Sequence, residues 1–153
     1  MGNLDYIEHE FSRKVVERAT AVLPQGTQGA LFTVTGRVIL MKIVGEVTTV
    51  IQTQANATKI IANPTVGADV DLCATDDISA DAVGTLYTIT KDFSDAMIAQ
   101  TSGAIEIAAT AIVEDPVIAA GTIDLDCVAS NSGSVKWVIH YMPLEPGAVI
   151  VSA

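Results

Sequence analysis

The chain is short of positive charge, histidine, cysteine and aromatic residues, and it has no long uninterrupted apolar run. Lys and Arg together number 8 of 153 residues against 18 Asp and Glu, which sets the net charge at −10 and the isoelectric point near 4.3. So acidic a chain repels phosphate backbones, which excludes general nucleic-acid binding. The longest apolar stretch, Ala30 to Ile51, is cut by Arg37, Lys42 and Glu46. A membrane span needs roughly 20 mostly apolar residues, so none is expected. The acidic opening Met1-Gly2-Asn3-Leu4-Asp5 lacks the apolar core of a signal peptide, and a soluble product made in the cytosol is expected.

The scarcity of histidine and cysteine narrows the chemistry. Neither His9, in a polar N-terminal stretch, nor His140, on the mixed face of a C-terminal strand pattern, sits beside a nucleophile motif. No Gly-x-Ser-x-Gly elbow and no phosphate-cradling glycine loop occurs. Zinc needs about four ligands in spaced pairs, and nothing supplies them. No catalytic, cofactor-binding or metal-ligating residue is therefore assigned, and no enzymatic activity is expected. The two cysteines, Cys73 and Cys127, are expected to be free thiols. By strand phase Cys73 shares a face with Asp69 and Asp71, whereas Cys127 shares one with Ile123 and Leu125. One thiol is thus expected outside and the other inside.

What the chain has in quantity is apolar and β-branched residues. Half of it is hydrophobic and 17% charged, which is too apolar for disorder. Val, Ile and Thr make up about a third, the enrichment that strands favour. Turn signals recur at Gly36, Gln54-Ala55-Asn56, Asn63-Pro64, Ser102-Gly103, Glu114-Asp115-Pro116, Asn131-Ser132-Gly133 and Glu145-Pro146-Gly147. Between them the alternation predicts strands over 37–51, 58–62, 68–74, 84–90, 104–113, 122–129, 135–143 and 147–152. In the first, Ile39, Met41, Ile43, Val47 and Ile51 share the inward face and Gly45 marks a bend or bulge. In the penultimate one Val135, Trp137, Ile139 and Tyr141 point inward. Trp137 and Tyr141 are then core rather than a sugar-binding platform. No helical pattern alternates with these strands, so the expected fold class is all-β, a β-sandwich or jelly-roll-like domain.

Residues 1–13 differ in character and read as a short helix or extended arm ahead of a single β-rich domain, 14–153. Ile7, Phe11, Val15 and Ala19 recur every four residues as on a helix; alternatively a strand begins at Val15-Val16 and runs to Leu23. Tyr6, Ile7 and Phe11 are the candidate partner-binding residues, with packing on the domain's own core as the other outcome. Ala74 to Gly84, with Asp76, Asp77, Ser79 and Asp81, reads as a polar loop. Together with Asp69 and Asp71 it is the only acidic cluster, more simply a solvated surface than a calcium site. Asn56-Ala57-Thr58 matches the glycosylation sequon but reads as a turn between two strands.

Five segments carry a resemblance: Val44-Gly45-Glu46-Val47-Thr48-Thr49-Val50-Ile51-Gln52-Thr53-Gln54-Ala55-Asn56; Asn63-Pro64-Thr65-Val66-Gly67-Ala68-Asp69-Val70-Asp71-Leu72-Cys73; Gly84-Thr85-Leu86-Tyr87; and Gly121-Thr122-Ile123-Asp124-Leu125-Asp126 followed by Ser134-Val135-Lys136-Trp137. They resemble small virion structural proteins of tailed bacteriophages, over most of the chain after Arg13. The resemblance implies a non-enzymatic capsid decoration (cement) protein on the outer capsid surface of the virion, made in the host cytoplasm. Its partners would be itself and the major capsid protein, without nucleic acid, membrane or cofactor. It transfers no functional residues. A homotrimer would suit capsid threefold positions. The alternative is a tail- or fibre-associated structural protein, including a carbohydrate-binding module.

Overall fold

The computed structural model describes residues 11–107 and 113–153. Within them lie twelve strands: β1 Lys14–Val22, β2 Gln28–Thr35, β3 Val38–Thr49, β4 Ala57–Pro64, β5 Val70–Asp71, β6 Asp76–Asp77, β7 Leu86–Thr88, β8 Ile98–Gln100, β9 Val117–Ile118, β10 Gly121–Cys127, β11 Ser134–Pro143 and β12 Val149–Ser152. The described residues contain no helix. The strands form two antiparallel six-stranded sheets. Sheet A runs β1-β11-β3-β7-β8 with β9 on β3, and sheet B runs β12-β2-β10-β4-β5 with β6 on β4. One hydrophobic cluster fills the space between them, so the all-β sandwich reading holds.

β11 is the spine of sheet A, and its alternation is uninterrupted: Val135, Trp137, Ile139 and Tyr141 are buried and Lys136, Val138, His140 and Met142 are not. Trp137 and Tyr141 are core, as their phase requires. Trp137 lies opposite Gly45 of β3, and Tyr87 pairs with Gly45 from the other side. The Trp137 and Tyr87 rings stack with centroids 6.1 Å apart. Gly45 therefore marks no bend or bulge. It is a gap in the strand that the indole fills, since a Cβ there would lie 2.8 Å from two ring carbons.

The register against β11 shifts elsewhere, at Thr48 and at Met41, and the second shift overturns part of the face assignment of β3. The β3–β11 register shifts between His140 and Tyr141, which pair with Lys42 and Leu40 respectively. Met41 is the extra residue, and a one-residue insertion inverts the faces on either side of it. Ile43, Gly45 and Val47 point inward as expected, but before the bulge Val38 and Leu40 take the core. Ile39 and Met41, expected inside, are placed on the outer face.

Other expectations are corrected too. β2 is a full strand in a stretch with no predicted strand, and β8 likewise. β6 interrupts the expected polar loop by pairing with Ala57 and Thr58. Ala104–Ile107 form no strand, and 108–112 lie outside the described residues. The helical spacing at Val15 and Ala19 is accidental, for both lie in β1. Tyr6 and Ile7, and with them most of the predicted arm or helix, lie outside the described residues; Phe11 is half-buried just ahead of β1. Asn56 is wholly buried, its side chain bridging to the backbone of Ala129 by Nδ2–H to O (3.3 Å) and N–H to Oδ1 (3.1 Å). It is a strut of the turn, as the turn reading of the sequon requires.

Both cysteines are free and both are buried, which contradicts the expectation of one outside. β5 ends at Asp71, so period two does not extend to Cys73. The chain turns inward there, Leu72 N–H bonds to Ile60 O at 2.8 Å, and Ile60 N–H donates to Cys73 Sγ. Burial pushes the Cys73 thiol up to about 11, and burial also raises Cys127. Since the thiolate is the nucleophile, iodoacetamide at pH 8 is expected to label no cysteine in the folded protein and both in guanidinium. Mass spectrometry checks this; one rapid label on the native protein would contradict it.

Candidate docking face

The outer face of sheet A is apolar to an unusual degree for a surface. Cross-strand register sets Val138 of β11 opposite Val44 of β3, and beyond Thr88 of β7, which is wholly buried with its hydroxyl donating to Ile43 O, lies Ile98 of β8. Val15 and Glu17 of β1 flank the Val138–Val44 pair, opposite His140 and Val138. The bulge at Met41 adds a second row, in which Met142 faces Ile39 and Ile39 faces Val117. Most of these side chains are half-buried, while Val15 and Val117 are each 56% exposed. Scattered exposed valines are ordinary, but contiguous apolar rows mark a contact surface.

The same face gathers cations. Lys42 and Lys136 rise from it beside His140, and Lys136 Nζ lies 3.9 Å from Glu46 Oε2. A groove of about 500 Å³ runs among Arg13, Met41, Lys42, Val44, Lys91 and His140. Asp115 also lines it, ion-paired with Lys91. Four of the eight basic residues of the chain (Arg13, Lys42, Lys91, Lys136) thus lie on or around one face.

The outer face of sheet B is acidic, whereas on sheet A Glu17, Glu46 and Asp115 are interspersed with the cations. Asp126 of β10 lies opposite Lys59 of β4, and Asp124 opposite Ile61, which in turn faces Asp71 of β5. Lys59 Nζ bonds Asp71 Oδ2 at 2.8 Å. That bond, more than the Coulombic pull of Asp71 and Asp126, raises the lysine pKa, and burial opposes it. Asp124 is 4% exposed, and its Oδ2 accepts from Gln28 Nε2 (2.8 Å) and Asn63 Nδ2 (3.2 Å).

Asp76, Asp77 and Asp81 lie between β5 and β7, Asp76 and Asp77 in β6 against the start of β4. Asp77 accepts from the backbone N–H groups of Asn56 (2.8 Å) and Ser79 (3.1 Å), which holds its carboxyl below the usual range. Burial pushes Asp76 and Asp81 up, with smaller contributions from neighbouring carboxylates. Tyr87 O–H donates to Asp81 Oδ2 at 2.6 Å. This is a set of turn struts: among the described residues no group of three or more His, Cys, Asp or Glu side chains is placed to hold a metal ion. Of the predicted partner-binding residues, only Phe11 is described, two positions before Arg13 at the groove. The sequence did not place Ile39, Met41 or Arg13 on this face, because their convergence depends on the bulge and on strand order.

No family model and no curated protein matches the chain. Among solved structures, one titled "Structure of infectious bursal disease virus Gx strain" aligns at 14% identity and a TM-score of 0.24. The alignment covers 92% of this chain, which spans 35% of the length of that chain. Likeness at that level carries no conclusion about fold or role. No helix among the described residues is long and apolar enough to cross a membrane.

Proposed function

We propose that this protein is a non-enzymatic structural component of a tailed-phage virion, a trimeric decoration protein that clamps the outside of the capsid through the outer face of sheet A. The observation that carries the proposal is the segregation of the surface. One sheet face is apolar with a fringe of cations, although the whole chain carries −10. The apolar rows would supply burial, at about 25 cal/mol per Å², and the cations would supply register against an acidic, partly apolar capsid surface. The acidic face of sheet B would then point to solvent and keep the decorated particle soluble. The resemblance of Val44–Asn56 and the other quoted segments to small virion proteins supports the same reading. Burial of Trp137 and Tyr141 removes the aromatic platform on which a carbohydrate-binding reading would have rested.

Co-sedimentation with capsid shells lacking the protein is the test. The wild-type chain is expected to pellet with the shells, less so as salt is raised. The double charge reversal Lys42→Glu with Lys136→Glu is expected to weaken attachment about tenfold or more, with little change in thermal unfolding because both side chains are at the surface. Deleting residues 1–12, which carry Tyr6, Ile7 and Phe11, is expected to abolish attachment while the domain stays folded. Light scattering on the free protein is expected to give three times the 15.9 kDa chain mass. A wild-type protein that never pellets, or a charge-reversed one that pellets equally at all salt concentrations, would overturn the docking assignment.

A further inference from the structure

At the β1 edge the two sheets do not close completely. A cleft of about 210 Å³ opens there between the end of β1 and the start of β2. Its walls are apolar, formed chiefly by Leu23, Pro24, Leu31, Leu125, Val135 and Trp137. The β1–β11 register shifts between Arg18 and Ala21 beside it, and in its lining the Pro24 ring packs directly on Gly29, where a Cβ would lie 2.9 Å from Pro24 Cγ.

Arg18 lines this cleft. It pairs across strands with Trp137 and so points between the sheets, whereas its neighbour Glu17 lies on the outer face. No carboxylate lines the cleft. Among the described residues Arg37, Lys59, Lys91 and Lys136 each have an acidic partner, and Arg18 has none. Its Nε is buried without a hydrogen-bond acceptor, the only nitrogen of a described side chain left so. Leaving a buried donor unsatisfied costs about 1–3 kcal/mol, more when charged. Arg13, Lys14 and Lys42 also make no ion pair with a described residue, but only Arg18 combines that with a buried, unsatisfied nitrogen at a cleft.

The geometry points to a binding site for a small apolar carboxylate: an acyl or aryl group in the cleft, its carboxylate on the Arg18 guanidinium. The guanidinium fork matches a carboxylate in a bidentate pair, supplying the acceptor that Nε lacks. The volume suits the apolar part, since a dry cavity of roughly 150 Å³ already takes benzene. The cleft lies between the sheets rather than on the outer face of sheet A, so the ligand and the docking partner occupy different surfaces.

Trp137 is the only tryptophan of the chain and lines the cleft, so its emission reports occupancy directly. Titration of the full chain with octanoate, taken into the millimolar range, is expected to shift that emission saturably, while acetate does nothing and 1-octanol binds more weakly. Arg18→Gln is expected to weaken octanoate about tenfold or more and to leave 1-octanol unchanged. Ala21→Leu, which fills the mouth and keeps Arg18, is expected to abolish the response to both; circular dichroism checks that each variant is folded. If Arg18→Gln fails to fold, the preference of wild type for octanoate over 1-octanol still decides the role of charge. No saturable response to octanoate, equal binding of octanoate and 1-octanol, or an unchanged response in Ala21→Leu would each overturn the site.

Discussion

Gly121→Ala is expected to be the most damaging single-atom addition in the described part of the chain. Gly121 opens β10, the central strand of sheet B, and pairs at once with Val34 of β2 and Pro64 of β4. Its φ is +152°, and a Cβ built there lies 2.2 Å from the Asn63 carbonyl oxygen and 2.7 Å from Pro64 Cα. Neither atom belongs to a side chain that can swing aside, so relief requires β4 to move away from β10 and break the ladder between them. A glycine-only backbone conformation costs about 1–3 kcal/mol for another residue, and overpacking adds about 1–3 kcal/mol. Together these approach the whole stability of a marginal domain, about 5–15 kcal/mol. Thermal unfolding followed by circular dichroism is expected to fall by on the order of ten degrees, or the protein to be recovered unfolded. Gly103→Ala is the matched control. Gly103 also has positive φ, at +72°, but nothing lies within 4 Å of its Cβ position, so a loss of only about 1 kcal/mol is expected. Equal melting temperatures for the two variants would contradict the steric argument.

The second large effect is a change of sign within a double-mutant cycle. Trp137→Ala is expected to cost about 3–5 kcal/mol, as removal of a fully buried aromatic does. Gly45→Ala alone is expected to cost about 1–3 kcal/mol, because its Cβ would meet three atoms of the Trp137 ring at 2.8–2.9 Å and the stacked Tyr87 bears on the indole. In the Trp137→Ala background that collision is gone. Alanine then has the advantage over glycine in a strand interior, and Gly45→Ala is expected to be neutral or stabilising by about 0.5–1 kcal/mol. The coupling between the two positions is thus expected to exceed about 1 kcal/mol. Urea unfolding followed by far-ultraviolet circular dichroism measures all four corners without relying on tryptophan. A Gly45→Ala cost that is the same in both backgrounds would mean that the glycine is not there for the indole.

These two glycines differ in how far the sequence announces them. Gly45 is conspicuous in a run of β-branched residues, and the sequence reading placed a bend there; its actual partner, Trp137, is 92 positions away, as the two residue numbers show. Gly121 lies just before an alternating segment and looks like an ordinary strand boundary, although it touches β4 through its missing side chain. The candidate docking face was legible only in outline. Period two places Ile39 and Met41 in the core, and only the bulge carries them to this face. Arg18 and the cleft were not legible at all, because an unpaired charge is defined by which carboxylates fail to reach it.

Composition and period-two alternation by themselves determined that the chain is all-β, that β11 buries Val135, Trp137, Ile139 and Tyr141, and that negative charge predominates from residue 60 to residue 130. Those properties are local: a strand with one face in the core must alternate, whatever it pairs with. Tertiary structure alone decided the faces of β3 before Met41, the burial of Cys73, the gathering of cations around sheet A and the cleft at Arg18. Each depends on strand register or strand order. The bulge at Met41, set by the fit between β3 and a strand far away in sequence, inverts the side chains of β3 before it while leaving the local pattern unchanged.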